Sequence, residues 1–135
     1  LFTNNWVLRV IEGPEFNFLS PESKKNIFKS PSTVSNESSR MGNRLEGVSI
    51  ELIHNSHMIS CPVTIGTIQC PKNGLPIILG CDSQTLGGYP RILQVAEIDF
   101  PLIGQLRPYD KVSFKKISIE EARQELKNQK LLFPF

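Results

Sequence analysis

Short apolar runs separated by polar turns repeat along most of the chain. Trp6–Ile11 combines aromatic and β-branched residues and is followed by a Gly-Pro turn, a pattern typical of a strand. Apolar and polar residues alternate over Val48–Ile53 and over Val63–Gln69, which predicts two more strands. Further strands are predicted over Leu75–Leu79, Arg91–Ile98 and Lys111–Ile117.

Three segments carry helix signals. Ser20 is a candidate N-cap followed by proline, and it predicts a short helix over residues 20–28. Ser118–Glu121 has the Ser-x-x-Glu pattern of a capping box, and the helix is predicted to continue to about residue 130. Ile119 and Leu126 are expected on the core-facing side of that helix. Phe100–Leu106 is apolar at helical spacing and predicts one more short helix.

Turn signals connect these elements. Asn73-Gly74 is a strong hairpin signal, so the strand ending at Gln69 is predicted to pair with the strand beginning at Leu75. Ser30–Asn43 is poor in apolar residues and is predicted to be a surface loop beside an edge strand. About six or seven strands with two or three short helices favour a mainly β fold, a closed or nearly closed barrel with a helix over one opening.

Composition narrows the class of protein. The 135 residues suffice for one domain with its own core, which is predicted to span 1–135. The net charge of +2 is small and the basic residues are scattered, which argues against a nucleic-acid partner. No apolar run approaches about 18 residues, so no membrane span is predicted. The cysteines (Cys61, Cys70 and Cys81) are odd in number and lack metal-site spacing, and their thiols are expected to be free in a reducing cytosol. His54 and His57 are three positions apart and could bind a metal, but no third ligand is near, so no metal is predicted.

A polar stretch lies between two apolar strands at Leu79–Leu93. It holds an acid, an amide, a hydroxyl, paired glycines, a phenol and a cation, which are Asp82, Gln84, Thr85, Gly87, Gly88, Tyr89 and Arg91. Hydrogen-bonding groups on a loop between buried strands suit recognition of a partner, and the glycines allow close backbone approach. A well-made hairpin turn explains the same residues equally well.

The sequence contains no motif of an activated nucleophile, no phosphate-binding loop and no dinucleotide fingerprint. It offers hydrogen-bonding side chains instead, to which Arg40, Arg44, Gln69 and Gln105 add. Guanidinium groups clamp carboxylates, and amide and hydroxyl groups suit the N–H and C=O edges of lactams and ureas. The residues therefore allow a site for a small polar carbonyl compound, or equally a structural network in which Arg40 or Arg44 pairs with Asp82.

Four motifs occur in an order that resembles one protein family. They are RMGNRLEG (40–47), GTIQCPKNGLPI (66–77), DSQTLGGYP (82–90) and LIGQLRP (102–108). They resemble the C subunit of bacterial 5-oxoprolinase, also called allophanate hydrolase subunit 2 or KipA, and the related carboxyltransferase subdomain of urea carboxylase. The resemblance covers nearly the whole chain and implies that the chain is the C-terminal half of a longer polypeptide.

The resemblance implies a cyclophilin-like β-barrel that acts within an enzyme complex. The implied reaction is the ATP-dependent opening of 5-oxoproline to glutamate, with the A subunit and the KipI-like B subunit of the complex, in the cytoplasm. ATP is implied for the complex, no cofactor is expected on this domain, and the isolated fragment is expected to be inactive. Alternatives are transfer of a carboxyl group from biotin to urea or a related amide, and a regulatory module that binds a KipI-type kinase inhibitor. A peptidyl-prolyl isomerase activity rests on the barrel alone.

The resemblance also implies roles for single residues. Asp82 and Tyr89 are expected to be catalytic. Substrate-binding residues are expected to be Arg40, Arg44, Gln69, Gln84, Thr85, Gly87, Gly88 and Arg91. Catalysis would rest on positioning and oriented hydrogen bonds rather than on a covalent nucleophile. The sequence departs from the family at Tyr109, which replaces the glycine of a common Gly-Asp turn.

Overall fold

The structure is a computed structural model that describes residues 4–37, 42–47, 50–53, 61–80 and 86–132, with the backbone alone for 61, 62, 86, 87 and 130–132. Its strands are β1 (Asn5–Glu12), β2 (Ser32–Val34), β3 (Gly42–Glu46), β4 (Cys61–Pro62), β5 (Thr67–Gln69), β6 (Ile77–Leu79), β7 (Leu86–Gly87), β8 (Arg91–Val95) and β9 (Lys111–Lys116). Its helices are α1 (Pro21–Lys29), α2 (Phe100–Ile103) and α3 (Ile119–Leu132), with single 3-10 turns at Phe16–Phe18 and Glu97–Asp99.

Seven of the described strands close into a barrel in the order β1-β8-β5-β6-β3-β2-β9. Neighbouring strands are antiparallel except at the seam, where β1 and β9 run parallel from Asn5 opposite Lys111 to Val10 opposite Lys116. The short strands β4 and β7 form a separate antiparallel pair. The prediction of a mainly β barrel with a few short helices is therefore confirmed.

The barrel core follows the period-two alternation of the strands. Leu8 and Val10 of β1, Ile68 of β5 and Val112 of β9 all have no exposed surface. Each is followed by a residue on the opposite face, because successive side chains of a strand point to opposite sides of the sheet. Burial of these aliphatic side chains, each worth roughly 1.5–3 kcal/mol, supplies the main driving force for closure.

The predicted helix starts are confirmed by their caps. The hydroxyl of Ser20 accepts from the backbone N–H of Ser23 at 3.2 Å and caps α1. At α3 the hydroxyl of Ser118 accepts from the N–H of Glu121 at 3.1 Å, and the Ser118 N–H donates back to the Glu121 carboxylate at 3.4 Å. The prediction that Ile119 faces the core is wrong, since its side chain is 52% exposed.

The strand predicted over Val48–Ile53 is not formed over residues 50–53, the part of it that the structure describes. The barrel strand is β3, and Gly47 ends it with a φ of +104°. Residues 48 and 49 lie outside the described residues, and Ile50 follows in irregular backbone. The predicted surface loop Ser30–Asn43 is also partly wrong, because it contains β2 and the start of β3. Both strands are too short for their alternation to stand out against polar neighbours.

The predicted hairpin is confirmed. Strands β5 and β6 pair antiparallel, with Ile68 opposite Ile78 and Gln69 opposite Ile77. In the connection, the side-chain oxygen of Asn73 accepts from the N–H of Leu75 at 2.9 Å, and Gly74 has a φ of +78°. The Asn-Gly pair supplies the local hydrogen bond and the left-handed conformation that this turn needs.

Arg9 in strand β1 is bound by two carboxylates from other segments, Asp99 and Glu125. Asp99, with a side chain 3% exposed, accepts from the Arg9 backbone at 2.8 Å and from its guanidinium at 2.6 Å. The same guanidinium donates to Glu125 of α3 at 2.5 Å. The hydrogen bond to Asp99, reinforced by both carboxylate charges, raises the pKa of Arg9 despite its partial burial. Arg9 thus connects β1, the second 3-10 turn and α3.

Asp110 holds the turn that leads into the parallel seam. Asp110 is only 2% exposed. Its carboxylate accepts hydrogen bonds from the Trp6 indole at 2.9 Å and from the backbone N–H groups of Asn4 and Arg107 at 3.1 and 3.0 Å. Burial acts to raise the pKa of Asp110, but these hydrogen bonds and the charge of Arg107 outweigh it and hold the pKa below its usual value. The preceding Tyr109 has a φ of +72°.

Replacement of Asp110 by asparagine is expected to lower the free energy of unfolding at neutral pH by about 2 kcal/mol, because charge-assisted hydrogen bonds are lost. Since the folded pKa lies below the unfolded value, the wild-type advantage is complete above about pH 5 and is lost as the pH falls through the folded pKa. Urea denaturation of both proteins between neutral and acid pH measures this. A difference that persists unchanged in acid would contradict the assignment to the charge.

Replacement of Tyr109 by glycine is expected to raise the free energy of unfolding by roughly 0.5–1 kcal/mol. The φ of +72° disfavours a residue with a Cβ atom, and the Tyr109 side chain is 59% exposed and loses little packing. Thermal denaturation checks this, with Tyr109→Ala as the matched control that removes the ring but keeps the Cβ atom. Equal stability of the glycine and alanine variants would show that the backbone is not strained here.

Candidate functional site

A cross-strand row on the outer wall of the barrel aligns three of the residues predicted to bind substrate. Arg44 of β3 lies opposite Ile77 of β6, and Ile77 lies opposite Gln69 of β5. Gln69 lies opposite Arg91 of β8, after a shift of the register between Ile68 and Gln69. Residues directly opposite one another share a face of the sheet. The row faces outwards, because Leu45 and Ile68, which alternate with it, are fully buried in the core.

Beside this row lies a hollow of about 220 Å³, here called the Arg44–Tyr89 hollow. Its polar lining residues are Ser35, Glu37, Arg44, Glu46, Asn73 and Tyr89, and its apolar ones are Leu45, Pro71, Leu75 and Ile77. The lining comes from β3, β6, the β5–β6 connection and the segment before β8. The hollow therefore unites two of the predicted site residues, which are 45 positions apart in the sequence.

The charged groups of the hollow are available to solvent. The Arg44 guanidinium lies 3.6 Å from the Glu37 carboxylate, and their side chains are 57% and 72% exposed. An exposed ion pair of this kind is worth about 0–1 kcal/mol, so the Glu37 pair contributes little to the stability of the fold. The Tyr89 residue is 47% exposed. Together they present a cation and a phenol at one edge of a small hollow.

Gln69 is buried, and its amide nitrogen is unsatisfied among the described residues. The residue is 6% exposed, and within the described part of the chain Nε2 has no hydrogen-bond partner. An unpaired buried donor costs about 1–3 kcal/mol of stability. Its position is fixed on both sides, by Ile77 in β6 and by the bond from the Cys70 N–H to the Pro90 carbonyl at 3.0 Å.

Arg91, the fourth member of the row, is held by Glu15. Its Nε and Nη2 atoms donate to the two carboxylate oxygens of Glu15 at 2.8 and 3.0 Å, and the side chains are 22% and 9% exposed. The Glu15 N–H also donates to the Arg91 carbonyl at 3.0 Å. A Cβ atom on Gly13 would lie 2.2 Å from that same carbonyl oxygen, so only glycine permits this approach. Sequence reasoning missed Glu15, because a single acid after a Gly-Pro turn carries no periodic signal.

The remaining predicted site residues are described only in part. Arg40, Asp82, Gln84 and Thr85 lie outside the described residues. Gly87 pairs with Cys61 between β7 and β4. Gly88 is exposed, and a Cβ atom added there would meet nothing within 4 Å. Steric contact with neighbouring atoms therefore does not require glycine at position 88.

A larger hollow of about 430 Å³ lies across β1, β8 and β5. Its central polar residue, Gln94, accepts from the Thr67 hydroxyl at 3.0 Å and donates to the carbonyls of Ile65 and Val95 at 3.1 and 3.0 Å. The Gln94 carboxamide is therefore fully engaged within the barrel wall. Arg91, which is predicted to bind substrate, also lines this larger hollow, but it is paired with Glu15. Because Gln94 and Arg91 are both engaged within the protein, we place the candidate site at the smaller hollow.

The described residues offer no group of three metal-ligating side chains. The His54 and His57 pair lies outside the described residues. Cys70 is a free and buried thiol, and burial raises its pKa to about 11, which keeps the thiol protonated at neutral pH. Of the helices that the structure describes, none has the length and apolar character to cross a membrane.

Comparison with known proteins gives consistent matches. Residues 2–116 match the family model described as carboxyltransferase domain, subdomain A and B. The chain is 34% identical over 126 residues to the C subunit of 5-oxoprolinase from Escherichia coli, covering 93% of this chain and 41% of the relative. It is 28% identical over 138 residues to a putative urea carboxylase of Emericella nidulans, covering 93% of this chain and 11% of that protein.

The fold is also that of a solved structure. The Kluyveromyces lactis urea carboxylase superimposes with a TM-score of 0.84 at 27% identity, over 96% of this chain and 13% of that one. The chain spans about two fifths of the length of the bacterial 5-oxoprolinase subunits that it matches. These relatives therefore contain further polypeptide beyond the region matched here.

Replacement of Glu15 by alanine is expected to lower the free energy of unfolding by about 3 kcal/mol, because it leaves the largely buried Arg91 guanidinium without its bidentate partner. The matched control is Glu12→Ala, which removes the exposed pair to Lys116 at 2.8 Å and is expected to cost under about 1 kcal/mol. Urea denaturation measures both. Equal losses would show that the Glu15 pair is no stronger than a surface pair.

Proposed function

The chain belongs to the family of carboxyltransferase domains, subdomain A and B, and on that premise we propose that it forms part of the substrate site of an enzyme that processes a small amide. The proposed reaction is the ATP-dependent opening of 5-oxoproline to glutamate, carried out together with partner subunits. The observation that carries the proposal is that Arg44 and Tyr89 line one hollow on the outer wall of the barrel, with Gln69 directly opposite its lining residue Ile77 in the adjoining strand.

The chemistry of that face suits such a substrate. The exposed Arg44 guanidinium can form two parallel hydrogen bonds to a carboxylate, which an ammonium group cannot do. A carboxamide side chain such as Gln69 offers both a donor and an acceptor to the edge of an amide. The hollow of about 220 Å³ limits the ligand to a small molecule.

Each predicted site residue has a role in the proposal. Asp82 and Tyr89 move protons at the reacting amide, and Arg44 with Arg40 binds the substrate carboxylate. Gln69, Gln84 and Thr85 bind the amide, and Gly87 and Gly88 let the backbone approach it. Arg91, clamped by Glu15, holds the end of the polar stretch against the barrel. Catalysis then comes from orientation and preorganised hydrogen bonds.

The proposal includes partners. Relatives of this chain are named as subunits or are much longer proteins, which supports action within a complex. We assign the partners to the A subunit of the complex, its KipI-like B subunit and the N-terminal half of the same polypeptide. ATP binding is assigned to those partners, and none of the residues of this chain is given a role with ATP.

A second candidate is the carboxyltransferase reaction on urea or a related amide. It is favoured by the TM-score of 0.84 to the Kluyveromyces lactis urea carboxylase over nearly the whole chain. In that reaction biotin delivers the carboxyl group, and this domain would bind the amide acceptor. The candidates differ in their co-substrate, so one assay separates them.

The full-length protein assembled with its partner subunits is expected to release glutamate from 5-oxoproline only when ATP is present. Asp82→Asn and Tyr89→Phe are each expected to lower the turnover rate by at least about 100-fold, the range typical of lost acid–base catalysis. Arg44→Gln is expected mainly to raise the KM for 5-oxoproline. Tyr109→Phe is the matched control, because Tyr109 is also exposed but lies outside the hollow.

Several outcomes would contradict this proposal. Urea carboxylation with carboxybiotin, and no reaction with 5-oxoproline, would establish the second candidate instead. Full activity of Asp82→Asn would remove the catalytic assignment. Tight binding of a kinase inhibitor without turnover of any amide would show that the protein is a regulatory module.

A further inference from the structure

Two glutamines on the outer wall of neighbouring strands differ in the hydrogen bonding of their carboxamides. Gln94 of β8 uses its whole carboxamide within the protein, accepting from Thr67 and donating to two backbone carbonyls. Gln69 of β5 is more deeply buried, yet its Nε2 has no acceptor in the part of the chain that the structure describes. Over the described residues, the barrel therefore gains hydrogen bonds from Gln94 and gains none from the amide nitrogen of Gln69.

The position of Gln69 does not require a polar side chain for folding. It lies directly opposite Ile77, whose side chain lines the Arg44–Tyr89 hollow, and it is covered to 94%. An apolar side chain of the same length would fill this place without burying a donor. A buried donor that the fold leaves unsatisfied is the arrangement expected of a group that serves a ligand.

The row also sets the distance to the cation of the hollow. Gln69 and Arg44 are separated by the single strand β6, hence by two strand spacings or about 10 Å between backbones. Both side chains are long enough to reach towards Ile77 from either side. A ligand that carries a carboxylate at one end and a carbonyl oxygen a few bonds away can therefore contact both.

We propose that Gln69 is a specificity-determining residue whose Nε2 donates to the amide carbonyl oxygen of the substrate. This inference rests on the proposed function and assigns the recognition of the carbonyl to one atom. Gln69 is not itself among the residues that line the hollow, and it lies opposite the lining residue Ile77, so in this proposal the Ile77 side chain moves aside when the substrate binds and uncovers Nε2. The carboxylate of the same substrate is left to Arg44.

The first measurement is thermal denaturation of Gln69→Met and Gln94→Met, which replace each carboxamide by an apolar chain of similar length. Gln94→Met is expected to lower the Tm by about 5 °C, because the Thr67 hydroxyl and two backbone carbonyls lose their hydrogen bonds to the carboxamide. Gln69→Met is expected to leave the Tm unchanged or to raise it by a few degrees, because the apolar side chain removes the free-energy cost of one buried, unpaired donor. A fall in Tm as large as that of Gln94→Met would show that Gln69 is structural and would overturn the inference.

The second measurement is calorimetric titration of the full-length protein, assembled with its partner subunits, with 5-oxoproline and with proline. Proline keeps the ring and the carboxylate but lacks the lactam carbonyl. The wild type is expected to bind 5-oxoproline at least about 10-fold more tightly than proline. Gln69→Met, and Gln69→Leu as a second apolar variant, are expected to remove this preference by weakening 5-oxoproline binding about 10-fold while leaving proline binding unchanged.

The outcomes separate this inference from the proposed function. If the wild type binds 5-oxoproline and the variants keep the full preference, Gln69 does not contact the carbonyl and the inference alone fails. If the variants lose affinity for both ligands equally, Gln69 supports the hollow as a whole and the inference is again wrong. If the wild type does not bind 5-oxoproline, the proposed function fails, and the role of Gln69 fails with it.

Discussion

The register of four adjacent strands decides which side chains meet on the outer wall of this barrel. With Arg44 opposite Ile77, and Gln69 opposite both Ile77 and Arg91, one row carries two cations and an amide. Because side chains alternate between faces, a slip of a single residue in β5 would put Gln69 into the core and Ile68 into solvent. Burial of the aliphatic face therefore fixes the polar face, and the site exists only because the core is packed as it is.

Polar groups in the described part of the molecule fall into two kinds. Asp99, Asp110 and Gln94 are held by several hydrogen bonds each, and they connect segments far apart in sequence. At the candidate site the described residues include an exposed ion pair at Arg44 and a buried amide nitrogen of Gln69 that has no hydrogen-bond partner among the described residues. The first kind stabilises the fold, and the binding role that we propose depends on the second, because a group already satisfied by the fold has little to offer a ligand.

Much of the architecture could be predicted from local patterns. The capping residues of α1 and α3, the Asn73-Gly74 hairpin and the strands around Trp6 and Val112 each depend on neighbours a few positions away. The strand expected over Val48–Ile53 was wrong over residues 50–53, the part of it that the structure describes, because the barrel strand β3 ends before Gly47, whose φ is positive. Strand β2 was missed, because three residues in a polar context do not establish a period.

The sequence by itself determined the mainly β class, the position of the polar stretch and the family, because these depend on short periodic patterns and on motif order. Only the tertiary structure decided that Arg44 and Tyr89 share a hollow, that Arg91 is clamped by Glu15 and that Gln69 is buried without a partner for its amide nitrogen among the described residues. These facts depend on contacts between residues up to 76 positions apart. Such contacts are set by barrel closure and strand register, which no local pattern of residues encodes.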